Sequence, residues 1–223
     1  MKKKFKIVNF LMILCCSLAL LSCGNSTSGS SSKADLDSAA EGYINAYLGK
    51  DVDYDKLGSA KDELENLVYK RDYHVVNLYT MEGGKDAEIL QAYYDALKNV
   101  EYTIKTSNSS DDGGKVTVAV KGIDISEVEN EVRTFSIKTR REKKMSREEL
   151  NKVTEDKAVE LLKAVTSGEE KEIELEFTKN SDGKLELSDS SIDNLENTLS
   201  FMQDNYTKFT GDVPQEFKDI EVK

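Results

Sequence analysis

Cysteine, histidine, proline and tryptophan are scarce in this chain, and two of these shortages exclude classes of site. The 223 residues include no Trp, one Pro and one His. All three cysteines lie within the first 23 residues. The chain beyond residue 23 therefore has no thiol, which excludes an internal disulfide, a zinc–thiolate site and a cysteine nucleophile. A single histidine also excludes a multi-histidine metal site.

No catalytic constellation stands out in the sequence. A Ser–His–Asp triad would have to use His74, and the chain contains no Gly-x-Ser-x-Gly elbow. We therefore predict a protein that is not an enzyme and that uses no cofactor. If it is an enzyme, His74 and a nearby carboxylate are the first residues to test as acid and base.

Positive charge is also in short supply. The chain has 31 Lys and Arg against 42 Asp and Glu, a net charge of -11. Four of the lysines and no acidic residue fall within residues 1–22, so the rest of the chain carries 27 basic residues and a net charge of -15. Such an acidic body repels phosphate backbones and anionic lipid head groups. We expect no nucleic-acid partner, and we expect any membrane attachment to use an anchor.

The first 23 residues have the three parts of a secretory signal. Lys2 to Lys6 form a positive start, and the apolar run from Phe10 to Leu21 is interrupted only by Ser17. This run is too short for a membrane-spanning helix, which needs about 20 apolar residues. The segment ends in the sequence Leu20-Leu21-Ser22-Cys23.

This ending resembles the lipobox of bacterial lipoproteins. The lipobox has an aliphatic residue three positions before an invariant cysteine and a small residue just before it. Leu21 departs from the pattern, because a smaller residue is common there. The resemblance implies transfer of a diacylglyceryl group to the Cys23 sulfur, cleavage after Ser22, and anchoring to the extracytoplasmic face of the cell membrane. The alternative is an ordinary signal peptide with a chance cysteine, or an uncleaved anchor.

The composition then divides the chain into four segments. Residues 1–22 are predicted to be the signal peptide, and residues 23–32 a lipidated Cys23 followed by a flexible Ser/Gly tether with a reach of about 15–18 Å. Residues 33–205 are predicted to form a single α+β domain. Residues 206–223 are predicted to be a loosely ordered tail.

The period of the apolar residues predicts three helices and then a hairpin. Helical spacing covers about 36–48, 60–80 and 85–99. Alternating residues then follow in 102–106 and 116–120, on either side of an Asp-Asp-Gly-Gly turn. This alternation predicts two antiparallel strands.

The second half of the body predicts a helical excursion and a second hairpin. Residues 125–142 fit a helix better than a strand, and Ser146 with Glu149 forms a capping box that opens another helix. Alternation at 173–177 and 185–187 predicts the second hairpin, and a short helix follows. The predicted fold is therefore α+β, with N-terminal helices packed on a curved antiparallel sheet and a helical insertion between two hairpins.

Four stretches of the body resemble a known family. They are Ala46–Asp51, Tyr102–Lys105 with Lys115–Val118, and Asp182–Leu187. Together they resemble the small cone-shaped domains related to nuclear transport factor 2, and the Gram-positive lipoproteins of unknown function that carry one. The resemblance spans about 36–205, with Leu185 where the family usually has Trp. It implies a curved sheet and helices around a pocket, which binds a ligand, hosts catalysis or is filled; function does not transfer with the fold.

Tyrosines are concentrated in one part of the chain, nine of the ten lying between Tyr43 and Tyr102. At core spacing such rings most often pack helices onto a sheet. The alternative is a ligand pocket lined by Tyr43, Tyr47, Tyr73 and Tyr94. Phenols offer a flat apolar face and a hydroxyl group, which would suit a sugar, a peptide or an aromatic ligand.

Alternating acidic residues between the first two helices raise the question of calcium. Asp51, Asp53, Asp55 and Asp62 have spacing close to that of an EF-hand loop. Lys56 stands where such a loop needs Gly, and Asp62 replaces the bidentate Glu. A solvated acidic loop fits these departures better, so we predict no metal and keep calcium as an alternative.

The mature chain has one basic run, Arg140–Lys144, which fits a solvated helix end or a contact with anionic polymer or lipid heads. The anchor and the missing catalytic constellation predict a lipid-anchored, non-catalytic module that binds a small molecule, a peptide or an envelope protein. The alternatives are an envelope enzyme that uses the cone pocket, and a structural or interaction lipoprotein with a filled core.

Overall fold

The computed structural model describes residues 31–79, 85–201 and 215–220. The predictions made for the signal peptide, Cys23 and most of the tether lie outside these residues. The helices are α1 (Lys33–Tyr47), α2 (Lys61–Tyr79), α3 (Asp86–Leu97), α4 (Ile125–Glu142), α5 (Arg147–Ala164), α6 (Asp189–Leu199) and α7 (Gln215–Lys218). The strands are β1 (Glu101–Ser110), β2 (Gly113–Lys121), β3 (Ile123–Asp124), β4 (Lys171–Lys179), β5 (Leu185–Leu187) and β6 (Ser200–Phe201).

The three predicted N-terminal helices are confirmed as α1, α2 and α3. A capping box opens α1, in which the Ser32 hydroxyl accepts the Asp35 backbone N–H and the Asp35 carboxylate accepts the Ser32 backbone N–H. These contacts satisfy N–H groups that have no partner within the helix. The helix then buries one face, which includes Leu36, Tyr43 and Ile44, against the sheet.

An antiparallel sheet in the order β1-β2-β4-β5 forms the second layer. Val116, Val118 and Val120 of β2 are fully buried. On β4, Leu175 and Phe177 are buried, while Glu174 and Glu176, which alternate with them, are exposed. One face of the sheet therefore meets the helices and the other meets solvent, as the alternation predicts.

The segment between the two hairpins is helical, which confirms the helix favoured for 125–142. Asp124 caps α4, because its carboxylate accepts the Ser126 backbone N–H at 2.9 Å. The capping box of α5 is also confirmed: the Ser146 hydroxyl accepts the Glu149 N–H at 3.2 Å. This helix packs between α3 and α4.

Two short features have no strong signal in the sequence. Strands β3 and β6 form a two-residue parallel pair beside the main sheet. Helix α7 forms part of the segment predicted to be a loose tail, and its Phe217 is buried with its ring 5.2 Å from that of Tyr73. The rest of that tail is outside the described residues, except 219–220.

One cluster of buried apolar side chains extends from Leu36 to Phe217 and joins the helices to the sheet. It includes Val128 and Val132 of α4 and Leu162 of α5, so the helical insertion shares this core. The predicted α+β class is confirmed, with helices on an antiparallel sheet and a helical insertion between two hairpins. The core cluster and every described helix and strand lie after residue 30. A chain that starts at Gly24 therefore contains all the residues of this core.

Candidate functional site

Two neighbouring charged residues of α2 are buried inside the body. Arg71 and Asp72 are 2% and 3% exposed. The Arg71 Nε and Nη2 atoms donate to Asp72 Oδ1 at 3.0 and 2.8 Å. Burying charges is costly unless they are paired and hydrogen-bonded, and here the two side chains satisfy each other directly.

Further contacts tie this pair to α1 and α3. Arg71 Nη1 donates to the Tyr47 carbonyl oxygen at the C-terminal end of α1, whose last turn has no basic residue of its own. The Tyr94 hydroxyl donates to Asp72 Oδ2 at 2.7 Å. The guanidinium carbon of Arg71 also lies 5.3 Å from the centre of the Tyr93 ring. The pair therefore joins the three N-terminal helices.

Gly49 allows the chain to leave α1 close to this network. Its φ of +67° is in the left-handed region, and a Cβ placed there would lie 2.3 Å from Tyr94 Cε1. Glycine accepts both the conformation and the close approach, as at many helix C-termini.

Burial raises the pKa of the phenols around the pair. It raises the pKa of Tyr93 to about 12, while the hydroxyl of this residue donates to Ser200 Oγ at 3.1 Å. Burial, and then the Asp72 carboxylate, also raises the pKa of Tyr94. For Tyr47, burial and then the Glu196 carboxylate raise the pKa in the same way. These groups hold their protons at neutral pH, so the network acts as a fixed polar core.

The four tyrosines of the predicted pocket each make contacts inside the body. Tyr43 and Tyr47 are 0% and 1% exposed, and the Tyr43 hydroxyl shares a 2.9 Å hydrogen bond with Ser59 Oγ. Tyr73 lies against Phe217, and Tyr94 bonds Asp72. In the structure these rings make packing and hydrogen-bonding contacts. Their role as ligand-pocket residues stays a prediction.

The acidic residues of the calcium alternative lie on an exposed connection between α1 and α2. Asp53 forms an ion pair with Lys56 at 2.8 Å, and Asp62 belongs to the exposed first turn of α2. Asp51 and Asp55 are exposed as well. Within residues 31–79, 85–201 and 215–220, no three His, Cys, Asp or Glu side chains are grouped as metal ligands would be.

A concavity of about 730 Å³ lies elsewhere, between the end of α2 and the pair α4 and α5. We name it the α4–α5 cleft. It is lined by Leu78 and Tyr79 of α2; Glu129, Val132, Arg133, Ser136, Ile137 and Arg140 of α4; Met145 and Ser146; and Arg147, Leu150, Asn151 and Thr154 of α5. His74 and the four tyrosines discussed above do not line it.

Helical spacing explains how two helices supply most of this lining. On α4 the lining residues follow steps of three and four from position 129 to position 140, which is one face of a helix. On α5 the same steps run from 147 to 154. The two stripes face each other because the four-residue connection turns the chain back.

The inner wall of the α4–α5 cleft combines apolar groups with an unsatisfied hydroxyl. Val132 is 5% exposed and Tyr79 is 2% exposed. Among the residues that the structure describes, the Tyr79 hydroxyl has no hydrogen-bond partner. Burial, and then the Glu129 carboxylate, raises the pKa of this phenol, so it remains a neutral donor. A buried hydroxyl without a hydrogen-bond partner is uncommon in proteins.

The outer wall of the cleft is strongly basic. The stretch from residue 133 to 152 contains eight Lys and Arg and three Glu, an excess of positive charge in a chain of net charge -11. Arg133, Arg140 and Arg147 of this stretch line the cleft, and all three are exposed. Arg133 and Arg140 make no ion pair with any residue in the described part of the chain.

Comparison with known proteins assigns the chain to a family. The sequence profile called Domain of unknown function (DUF5105) matches residues 30–201. The chain belongs to this family. No sequence among the curated proteins matches it. Among the described residues of this DUF5105 protein, no helix is long and apolar enough to cross a membrane.

A solved structure shares the fold of this DUF5105 protein. It is that of YcdA from Bacillus subtilis, a protein described as a lipoprotein, with a TM-score of 0.59 and 20% sequence identity. The match covers 74% of this chain and 56% of YcdA, so the chain spans little more than half the length of YcdA. At this identity the likeness supports the α+β architecture and does not transfer a function.

Sequence reasoning did not find the α4–α5 cleft of this DUF5105 chain. The basic run Arg140–Lys144 was recognised, but it contributes one lining residue, Arg140. A signal was present in the spacing of Arg133, Ile137 and Arg140, which places an apolar residue between two arginines on one face of α4. Ile137 is 47% exposed, which the helical pattern alone does not reveal.

Proposed function

We propose that this protein is a lipid-anchored, extracytoplasmic binding protein whose ligand site is the α4–α5 cleft. The observation that carries the proposal is a concavity of about 730 Å³ that combines apolar walls and a buried hydroxyl with Arg133 and Arg140, which make no ion pair among the described residues. Small-molecule sites have this size and this mixture of apolar surface with a few polar groups.

The position of the cleft suits a ligand that arrives from outside the membrane. Ser31 lines the same surface pocket as Gly183, Lys184 and Leu185, and the Gly58 N–H donates to the Leu185 carbonyl at 2.8 Å. Helix α2 starts close to this end and its 19 residues span about 28 Å. Its last residue, Tyr79, lines the cleft, so the cleft lies far from where the tether would enter.

The anchor is supported by the lipobox-like sequence at Cys23 and by the description of the structural neighbour YcdA as a lipoprotein. The likeness to cone-shaped domains related to nuclear transport factor 2 rests on sequence motifs. This likeness supports the proposal because such domains often enclose a pocket.

Replacing Cys23 with Ala should abolish acylation, because the thiol is the only group at that position that can form the thioether carrying the lipid. Metabolic labelling with a palmitate analogue should mark the wild-type protein and leave Cys23→Ala unlabelled, with Ser22→Ala as a control that keeps a small residue before the cysteine. Equal labelling of wild type and Cys23→Ala would refute the anchor.

Ligand binding at the cleft can be tested with an uncharged fluorescent probe, N-phenyl-1-naphthylamine, on residues 24–223. The probe should become more fluorescent when it binds. Ile137→Asn should weaken binding of the probe by about fivefold, because partial burial of an apolar side chain against the probe contributes on the order of 1 kcal/mol of binding free energy. Exposure of Ile137 makes a loss of folding unexpected.

Phe201→Asn is the matched control, since Phe201 is 42% exposed and does not line the cleft. Its affinity for the probe should stay within about twofold of wild type. No brightening with the wild-type protein, or equal affinities of the Ile137 variant and wild type, would contradict a ligand site in the cleft.

A further inference from the structure

We infer that the α4–α5 cleft selects a free organic acid with an apolar body. This inference rests on the proposed function and adds the chemical class of the ligand. The acidic group would bind the arginines of the outer wall, and the body would lie on the apolar residues between α2, α4 and α5.

The charge of the cleft points to an anion. Among the described residues that line it, three are arginines and one, Glu129, is acidic. Arginine presents a planar fork of N–H donors that matches a carboxylate, sulfonate or phosphate group. Because Arg133 and Arg140 have no ion-pair partner among the described residues, their donors are available without the loss of an internal salt bridge.

The shape of the cleft excludes a bare inorganic anion as the full occupant. Arg133 and Arg140 are two helical turns apart, a distance of about 10 Å along α4, and Ile137 lies between them. Leu78 and Leu150 add apolar surface from the other two helices. A phosphate ion would fill a small part of about 730 Å³ and would leave this surface in water.

The buried Tyr79 hydroxyl is an independent sign of a missing partner. Tyr79 is 2% exposed, and its hydroxyl makes no hydrogen bond with any residue in the described part of the chain. Leaving such a group unsatisfied is costly, and a polar atom of a ligand in the cleft would remove that cost. The ligand is therefore expected to carry an acceptor near its apolar body as well as its acidic group.

An anionic lipid head group has the same chemistry as a free organic acid, but the geometry favours the free acid. The residues that enter the body from the tether lie at the Leu185 end of α2, whereas the cleft lies at its Tyr79 end, about 28 Å away. The acidic remainder of the body also opposes close contact between the protein and an anionic surface.

Two dyes that share one aromatic body separate charge from apolar contact. The dye 8-anilinonaphthalene-1-sulfonate carries a sulfonate, and N-phenyl-1-naphthylamine is the same body without it. With residues 24–223, the double variant Arg133→Gln/Arg140→Gln should bind the sulfonate dye about tenfold more weakly and the neutral dye within about twofold of wild type. Arg141→Gln, which makes the same change on α4 away from the cleft, should leave both affinities unchanged.

The outcomes distinguish this inference from the proposed function. If Ile137→Asn weakens binding of the neutral dye but the double arginine variant weakens binding of neither dye, the cleft is a ligand site without anion selectivity. In that case the inference fails and the proposed function stands. If neither dye binds the wild-type protein, both fail. Binding to vesicles of phosphatidylglycerol is the last measurement. If the vesicles retain the wild-type protein but not the double variant, while both proteins bind each dye with equal affinity, the arginines contact a membrane surface and the inference is overturned.

Discussion

Replacing Arg71 with Met should lower the free energy of unfolding by about 3–5 kcal/mol, as expected when one partner of a buried ion pair is removed. The Asp72 carboxylate, 3% exposed, would be left in a dry environment without its cation. The Tyr47 carbonyl would lose its donor, and the ring of Tyr93 would lose the guanidinium above it. Urea denaturation followed by circular dichroism at pH 7 measures the change.

Two further variants separate the buried pair from a general effect of charge. Lys70→Met removes a positive charge from the neighbouring, partly exposed position of α2 and should change stability by less than about 0.5 kcal/mol. The double variant Arg71→Met/Asp72→Leu should recover part of the loss, because no buried charge remains unpaired. A double variant less stable than Arg71→Met would show that the cost does not come from the unpaired carboxylate.

Local patterns predicted most of the elements because each has its own cause within a few residues. Ser146 and Glu149 satisfy the first N–H groups of α5 whatever the helix packs against. Alternation around Leu175 and Phe177 predicted one buried and one exposed face of β4, and the structure has both. The helix favoured at 125–142 was correct because its apolar residues recur at three and four positions.

The two polar features that matter most here depend on tertiary contacts, and no local pattern specifies them. Charged residues on a helix are usually solvated, so nothing in the sequence marks Arg71 and Asp72 as buried. Their burial follows from the meeting of α1, α2 and α3. In the same way, the α4–α5 cleft exists because three helices leave a space between them, while each lining stripe looks like an ordinary amphipathic face.

Gly122→Ala should destabilise the protein by about 3 kcal/mol, the upper part of the range for overpacking a filled interior. Gly122 connects β2 to β3, and a Cβ there would lie 1.7 Å from the Thr198 carbonyl oxygen near the end of α6. The obstacle is backbone, so no side-chain rotation can relieve it. Thermal or urea unfolding of the variant measures the effect.

The clash at Gly122 should also disturb the buried hydrogen bond between Tyr93 and Ser200, and a matched control tests whether the clash causes the loss of stability. Pushing α6 away would move Ser200, which pairs with Ile123 in the β3–β6 ladder and accepts the Tyr93 hydroxyl. Gly168→Ala is the matched control: the Gly168 N–H donates to the Gly122 carbonyl, yet a Cβ on Gly168 would meet nothing closer than 3.6 Å. This control should stay within about 0.5 kcal/mol of wild type. Equal stability of the two variants would mean that the chain at Gly122 can yield, and that the contact with α6 does not fix the end of that helix.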